Sequence, residues 1–229
     1  MIEDPPLLQI RRDFQRPSSR ALAALAGLQT GYVVDAMGGR GALDYRIKPL
    51  STLTGTMVGV AVTCHCGPGD NLALFGALHI AQAGDVLMVA TDSFTGTAVT
   101  GDLVMGIARN RALAGLVTDG MARDTAGIVA VGLPVFCAGV TPNSAARNGP
   151  GHVGLPVVIG GAPVASGDII VADNDGVVVI GQSQMAAVLA RLPAVQAAEA
   201  ELEEKVKDGL KTPGFLEAVI ASGRAVEIE

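Results

Sequence analysis

Asp102 is separated by the twenty residues 103–122 from the adjacent pair Arg123 and Asp124. Two carboxylates and a guanidinium can hold a divalent cation and an α-keto acid together. A carboxylate ligates a hard cation through oxygen, and a planar, permanently charged guanidinium grips a carboxylate through a two-pronged donor fork. Each residue also has a plainer use: an Asp at a helix start caps the helix or complements its dipole, and an adjacent Arg-Asp pair is commonly solvated surface charge. The residue types alone leave both readings open.

The elements that carry these residues can bring them together. Thr100-Gly101-Asp102-Leu103 opens a helical pattern running to about Ala112, and an apolar run, Gly115 to Thr118, then leads into a loop ending at Asp124. This reads as glycine turn, helix, buried strand, loop. Asp102 then lies in the first helical turn, where the amides of Leu103 and Val104 point outward and the dipole favours anions. Arg123 and Asp124 follow the carboxyl end of a strand, where open α/β sheets place their ligands.

Periodicity and turn residues predict helices near 20–38, 70–82, 101–112, 183–207 and 213–222, the last with Thr212 as cap and Pro213 in its first turn. Strands are expected near 45–49, 56–66, 86–90, 115–118, 134–138, 156–159, 169–172 and 177–181. Helices alternate with strands in the middle of the chain, and short β segments punctuated by Gly and Pro follow Pro134. The pattern is a layered α/β protein rather than a simple dinucleotide-binding sheet. No linker or charge run divides it, so 1–229 reads as a single domain with an N-terminal arm (1–19) and C-terminal helices (183–222).

Hydrophobic residues make up 49% of the 229 and charged residues 17%, so little charge is left to cover a surface and some of that surface is expected to lie between subunits. The net charge of −6 argues against nucleic acid as a partner, which needs a basic face. The cluster Arg11, Arg12, Arg16 and Arg20 is the exception and reads as a solvated helix or arm. No apolar run reaches the length of a membrane helix, and Met-Ile-Glu-Asp-Pro-Pro lacks the features of a secretory leader, so a cytoplasmic location is expected. Reduced cysteines fit that compartment. Cys64-His65-Cys66 lies in an alternating strand, which puts both thiols on one face and His65 on the other; with Cys137, His79 and His152 scattered, a closed zinc site has no second ligand pair. Gly38-Gly39-Arg40-Gly41 and Gly160-Gly161 do not form the strand-turn-helix glycine loop of a dinucleotide site and read as turns.

Three further segments carry a family resemblance. Gly67-Pro68-Gly69-Asp70-Asn71 resembles the PGDN turn of the RraA-like family, Gly84-Asp85-Val86-Leu87 its GD-x-L strand entry, and the stretch Gly167 to Val177 its GD-x-V-x-AD-x-DGV signature. With the Asp102, Arg123, Asp124 set, the match runs from about Leu25 to the C-terminal helix.

The resemblance implies a swivelling β/β/α architecture and a divalent-metal-dependent pyruvate aldolase that cleaves a 4-hydroxy-2-oxo acid. The substrate would be 4-hydroxy-4-methyl-2-oxoglutarate or 4-carboxy-4-hydroxy-2-oxoadipate, with oxaloacetate decarboxylation as a companion activity. It implies Asp124 as the ligand of Mg²⁺ or Mn²⁺ and Arg123 as the clamp on the substrate carboxylate and keto oxygen. Asp102 would orient or deprotonate a metal-held water, and Gly101, Leu103 and Val104 would present backbone to the pyruvyl carboxylate. It also implies a homotrimer or homohexamer with sites at subunit boundaries, where Asp35, and less clearly Glu199, would serve a neighbouring subunit. The other aldolase strategy needs a desolvated lysine, and Lys48, Lys205, Lys207 and Lys211 all fall in polar or solvent-facing stretches. The alternative implied by the same resemblance is a non-catalytic protein that binds and regulates a ribonuclease. Such a protein has no need of the Asp102, Arg123, Asp124 set. Substrate choice is expected to lie in the walls formed by residues 92–100 and 139–153.

Overall fold

The structure, a computed structural model, describes residues 4–226 and Ile228. The chain begins with β1 (Leu8–Ile10), α1 (Ser19–Leu25), α2 (Thr30–Ala36), β2 (Lys48–Pro49) and β3 (Met57–His65). Next come α3 (Leu72–Ile80), β4 (Asp85–Ala90), β5 (Ala98–Thr100), α4 (Asp102–Asn110), β6 (Gly115–Thr118) and β7 (Met121–Ala122). Then follow α5 (Thr125–Val131), β8 (Val135–Cys137), β9 (Gly139–Val140), β10 (Gly151–Val153), β11 (Val157–Ile159) and β12 (Ala162–Val164). The hairpin β13 (Ile169–Asp173) and β14 (Gly176–Ile180) leads to α6 (Met185–Lys207) and α7 (Gly214–Ala221).

β3, β4, β6 and β8 lie side by side and parallel, with Val60 opposite Asp85, Val86 opposite Gly115, and Leu116 opposite Val135. β2 borders β8 antiparallel; β10 and β13 both pair antiparallel with β3, at its two ends. Strands covered on both faces read as unbroken apolar runs, and β4 is buried at all six positions. One face, including Val62, Cys64, Leu87, Val89 and Leu116, packs on α3 and α4. The other, including Ala61, Val86, Met88, Val117 and Phe136, packs on β11, β12, β13 and β14. Helix, sheet and second β layer give the β/β/α arrangement, and α1, α2 and α6 cover the outer side of β13 and β14. Each fully buried Leu or Phe in these layers contributes on the order of 1.5–3 kcal/mol.

The helix expected over 20–38 is two helices. α1 stops at Ala26 in extended conformation, and Gly27 follows at φ 78°, a left-handed value that a Cβ resists. α2 restarts at Thr30, whose amide and hydroxyl both donate to the buried Asp173 carboxylate, at 2.8 and 2.9 Å. A carboxylate 143 residues away therefore does the work of a local cap. At the C-terminus Pro213 is itself the cap of α7, and the helix begins at Gly214.

Arg16 departs from the solvated arm expected of the basic cluster. Its two terminal nitrogens donate to both oxygens of Asp85, at 2.6 and 2.9 Å, and Asp85 is 1% exposed. β1 adds to the sheet parallel to β10. No helix among the described residues is long and apolar enough to cross a membrane.

Candidate active site

β5, β7 and β9 form a small parallel sheet outside the main one, and it delivers the site residues. Gly101 follows β5 directly and Asp102 opens α4, whose backbone ladder starts with the Met105 amide on the Gly101 carbonyl at 3.0 Å. Arg123 follows β7, and its amide donates to the Thr100 carbonyl at 3.1 Å, which ties the second segment to the first. Asp124 sits at the start of α5 in left-handed conformation, φ 57° and ψ 45°, and its side chain makes no capping bond. Its Oδ2 lies 3.2 Å from Arg123 Nε.

Two glycines make the packing feasible. A Cβ on Gly101 would stand 2.7 Å from Asp124 Oδ2, and one on Gly127 of α5 would stand 2.6 Å from Asp102 Oδ2. The Asp102 carboxylate accepts from the Leu103 amide at 2.7 Å. In this arrangement the amide expected to receive a substrate carboxylate is engaged by the neighbouring aspartate.

Asp102, Arg123 and Asp124 line one cavity of about 300 Å³ together with Gly101, Leu103 and Val104. Ala98, Val99, Thr100, Ser144, Ala145 and Arg147, from the segments 92–100 and 139–153, line it as well. Val140, Thr141 and Pro142 line a second cavity of about 250 Å³ that shares Arg123 and Asp124. The two charged residues therefore stand between two openings.

Sequence reasoning missed Ser144, Arg147, Asn71 and Thr100. Ser144 Oγ accepts from Arg123 Nη1, and the Arg147 guanidinium lies over the Phe75 ring, 5.1 Å from its centroid. Asn71 and Thr100 are buried in the wall, and Asn71 Oδ1 and Thr100 Oγ1 have no hydrogen-bond partner among the described residues. The PGDN turn could have signalled Asn71; nothing in Ser144-Ala145-Ala146-Arg147 distinguishes it from an ordinary loop. The same turn holds the loop. Asp70 Oδ2 accepts from the Asn148 and Gly149 amides, at 2.5 and 3.1 Å, and Asn71 and Gly69 exchange backbone bonds with Ala146.

The other candidates lie elsewhere. Asp35, exposed on α2, and Glu199, exposed on α6, do not line this cavity. His152 stacks on His65 with centroids 5.1 Å apart, and His65 Nε2 is 2.9 Å from Asp92 Oδ1. Burial, then the neighbouring His65, depresses the His152 pKa. Cys64 in β3 and Cys66 just after it are buried in the same helix-facing core. Burial, reinforced by the Cys66 contact, pushes the Cys64 thiol well above its usual range, and burial raises that of Cys137. Such thiols stay protonated and unreactive. Lys48 is exposed and donates to the Asp175 carbonyl.

A divalent cation is the group this donor set fits. Asp124 is a left-handed helix-start residue with a carboxylate unspent on capping, and Asp102 lies on the same cavity. No cluster of three or more His, Cys, Asp or Glu side chains suited to a metal occurs among the described residues. A hard cation that keeps most of its water would need only about one or two carboxylates from the protein.

The fold and cavity define a layered α/β protein that gathers two carboxylates and two guanidinium groups on one cavity at strand ends. The chain belongs to the RraA-like family: the family model described as Aldolase/RraA matches residues 30–179. It is 35% identical over 194 residues to the "Putative 4-hydroxy-4-methyl-2-oxoglutarate aldolase" of Halalkalibacterium halodurans, covering 84% of this chain and 92% of that one. A crystal structure of an uncharacterized protein from Pseudomonas syringae pv. tomato superposes with a TM-score of 0.74 at 26% identity, covering 86% of this chain and 97% of that one. That of Streptomyces coelicolor RraAS2, described as an unusual member of the RNase ES inhibitor RraA protein family, gives 0.71 at 26% identity, covering 86% and 100%.

Proposed function

We propose that this protein is a divalent-metal-dependent aldolase that cleaves a 4-hydroxy-2-oxo acid to pyruvate and a second keto acid, and that decarboxylates oxaloacetate at the same site. The observation that carries this reading is the convergence of Asp102, Arg123 and Asp124 on one cavity. The Halalkalibacterium halodurans relative's name supports the reaction class.

Retro-aldol cleavage needs an acceptor for the C4 hydroxyl proton and stabilisation of the enolate charge left when the C3–C4 bond breaks. Arg123 binds the carboxylate and keto oxygen of the pyruvyl half, and its fork is steadied by Ser144 and Asp124. Asp124 would hold the Mg²⁺ or Mn²⁺, which when bound would supply Lewis-acid stabilisation of the developing negative charge. Asp102, seated against Gly127, receives the hydroxyl proton through an intervening water and returns it to the methylene carbon of the enolate. For the substrate carboxylate to reach the Leu103 and Val104 amides, the Asp102 carboxylate turns away from the Leu103 amide it now engages. Loss of carbon dioxide from oxaloacetate leaves the same enolate, so one set of groups serves both reactions.

The test is pyruvate release, coupled to lactate dehydrogenase, from oxaloacetate and from 4-carboxy-4-hydroxy-2-oxoadipate, each with Mg²⁺ and with EDTA. Metal-dependent turnover of both is expected, and turnover of neither sinks the aldolase reading. The second reading, a ribonuclease regulator, draws on the description of the Streptomyces coelicolor structure. It predicts ribonuclease inhibition that survives Arg123→Ala.

A further inference from the structure

We propose that Arg147 binds a distal second carboxylate of the substrate, and so makes the site selective for keto diacids over monoacids of the same carbon skeleton. The inference rests on the aldolase reading and assigns the end of the cavity that the Asp102, Arg123, Asp124 set leaves undefined.

Arg147 lines the same cavity as Arg123, yet among the described residues it makes neither a hydrogen bond nor an ion pair. Its guanidinium lies over the face of Phe75, which also lines the cavity. Stacking on an aromatic face orients a guanidinium while leaving its in-plane N–H donors unspent. Those donors match a carboxylate in a two-pronged geometry.

The backbone beneath Arg147 is held at several points. Ala146 and Asn148, its two neighbours, are tied to the turn at 69–71, and Asn143 bonds the Gly96 carbonyl and the Ala98 amide. A donor carried on a pinned loop loses less freedom on binding than one on a mobile loop. The four charged groups on the cavity wall, two aspartates and two arginines, cancel. A divalent cation at Asp124 adds two positive charges, which a dianion balances and a monoanion does not.

The experiment compares two substrates that differ in one group, 4-hydroxy-4-methyl-2-oxoglutarate and 4-hydroxy-4-methyl-2-oxopentanoate, in wild type, Arg147→Ala and Arg147→Lys. The loss of a charge-assisted bidentate contact predicts a fall of roughly 10- to 100-fold in kcat/KM for the diacid in Arg147→Ala, carried mainly by KM. The monoacid is expected to change less than about twofold, and Arg147→Lys, which keeps the charge without the fork, to recover part of the loss. Equal losses on both substrates, or subunit dissociation of Arg147→Ala in sedimentation, overturn the proposal. Calorimetric titration with 2-oxoglutarate and with pyruvate separates it from the aldolase reading. If neither substrate is cleaved the aldolase reading fails, whereas selective weakening of 2-oxoglutarate in Arg147→Ala still supports the Arg147 contact and equal binding sinks it.

Discussion

Asp124 Oδ2 rests directly against Gly101, so close that a Cβ on the glycine would stand 2.7 Å from it. Gly101 has φ −156° and ψ −174°, extended backbone that any residue adopts, so the requirement for glycine is steric rather than conformational. Gly101→Ala is therefore expected to fold and to displace the Asp124 carboxylate. Asp124 is the proposed cation ligand, and disturbing the support of a ligand typically weakens metal affinity about 10- to 100-fold. Calorimetric Mg²⁺ titration beside a melting curve checks this, and wild-type affinity in the variant would remove the contact from the account.

Arg123 is half-buried and serves the cavity more than the core. Arg123→Ala is expected to lower pyruvate formation by on the order of 10²–10³-fold, as for loss of a preorganised charge-stabilising donor, with circular dichroism unchanged. Asp124→Ala is expected to abolish the heat of Mg²⁺ binding. An unaltered titration isotherm would reassign the ligand.

The Arg16 and Asp85 pair tests the stability side. Asp85 is 1% exposed and receives both Arg16 nitrogens as well as the Gln82 amide at 2.7 Å. Removing one partner of a fully buried pair costs about 3–5 kcal/mol; the Arg16 side chain is 27% exposed, so solvent relieves part of that. Arg16→Ala is expected to lose roughly 2–3 kcal/mol in urea unfolding, and a loss under about 0.5 kcal/mol would mark the pair as surface charge.

His152 makes stability depend on pH. Burial and the stacked His65 lower its folded pKa beneath the ordinary histidine value of 6.5. The folded state then binds fewer protons than the unfolded one just below that pH, so unfolding takes protons up. Stability is complete above 6.5 and declines as the pH falls through the window beneath it. His152→Gln is expected to flatten that decline in melting temperatures taken from pH 7.5 to 5.5, and an unchanged slope would move the effect to another group.

Local order made much of this protein legible in its sequence. Apolar runs such as 86–90 and 115–118 announced strands buried on both faces, and the alternation around Cys64 announced which side each thiol takes. Glycine before Asp102 announced a helix start, and the apolar strand before Arg123 announced a carboxyl-end loop. β7 and β9 are two residues long each and exist through partners far off in the chain, so no periodicity could reveal them. The break between α1 and α2 was visible as Gly27, but its repair by Asp173 was not.

The sequence by itself determined the layers of the fold and the chemical types at the site, because burial patterns and helix starts depend on near neighbours along the chain. Tertiary structure alone decided that Arg16 clamps Asp85, 69 residues away, and that Arg147 shares a cavity with Arg123. Those relations depend on which loop the turn at Asp70 holds against which strand end. Charged side chains in loops carry no periodic signal, and their partners are set by the packing of the layers that bring the loops together.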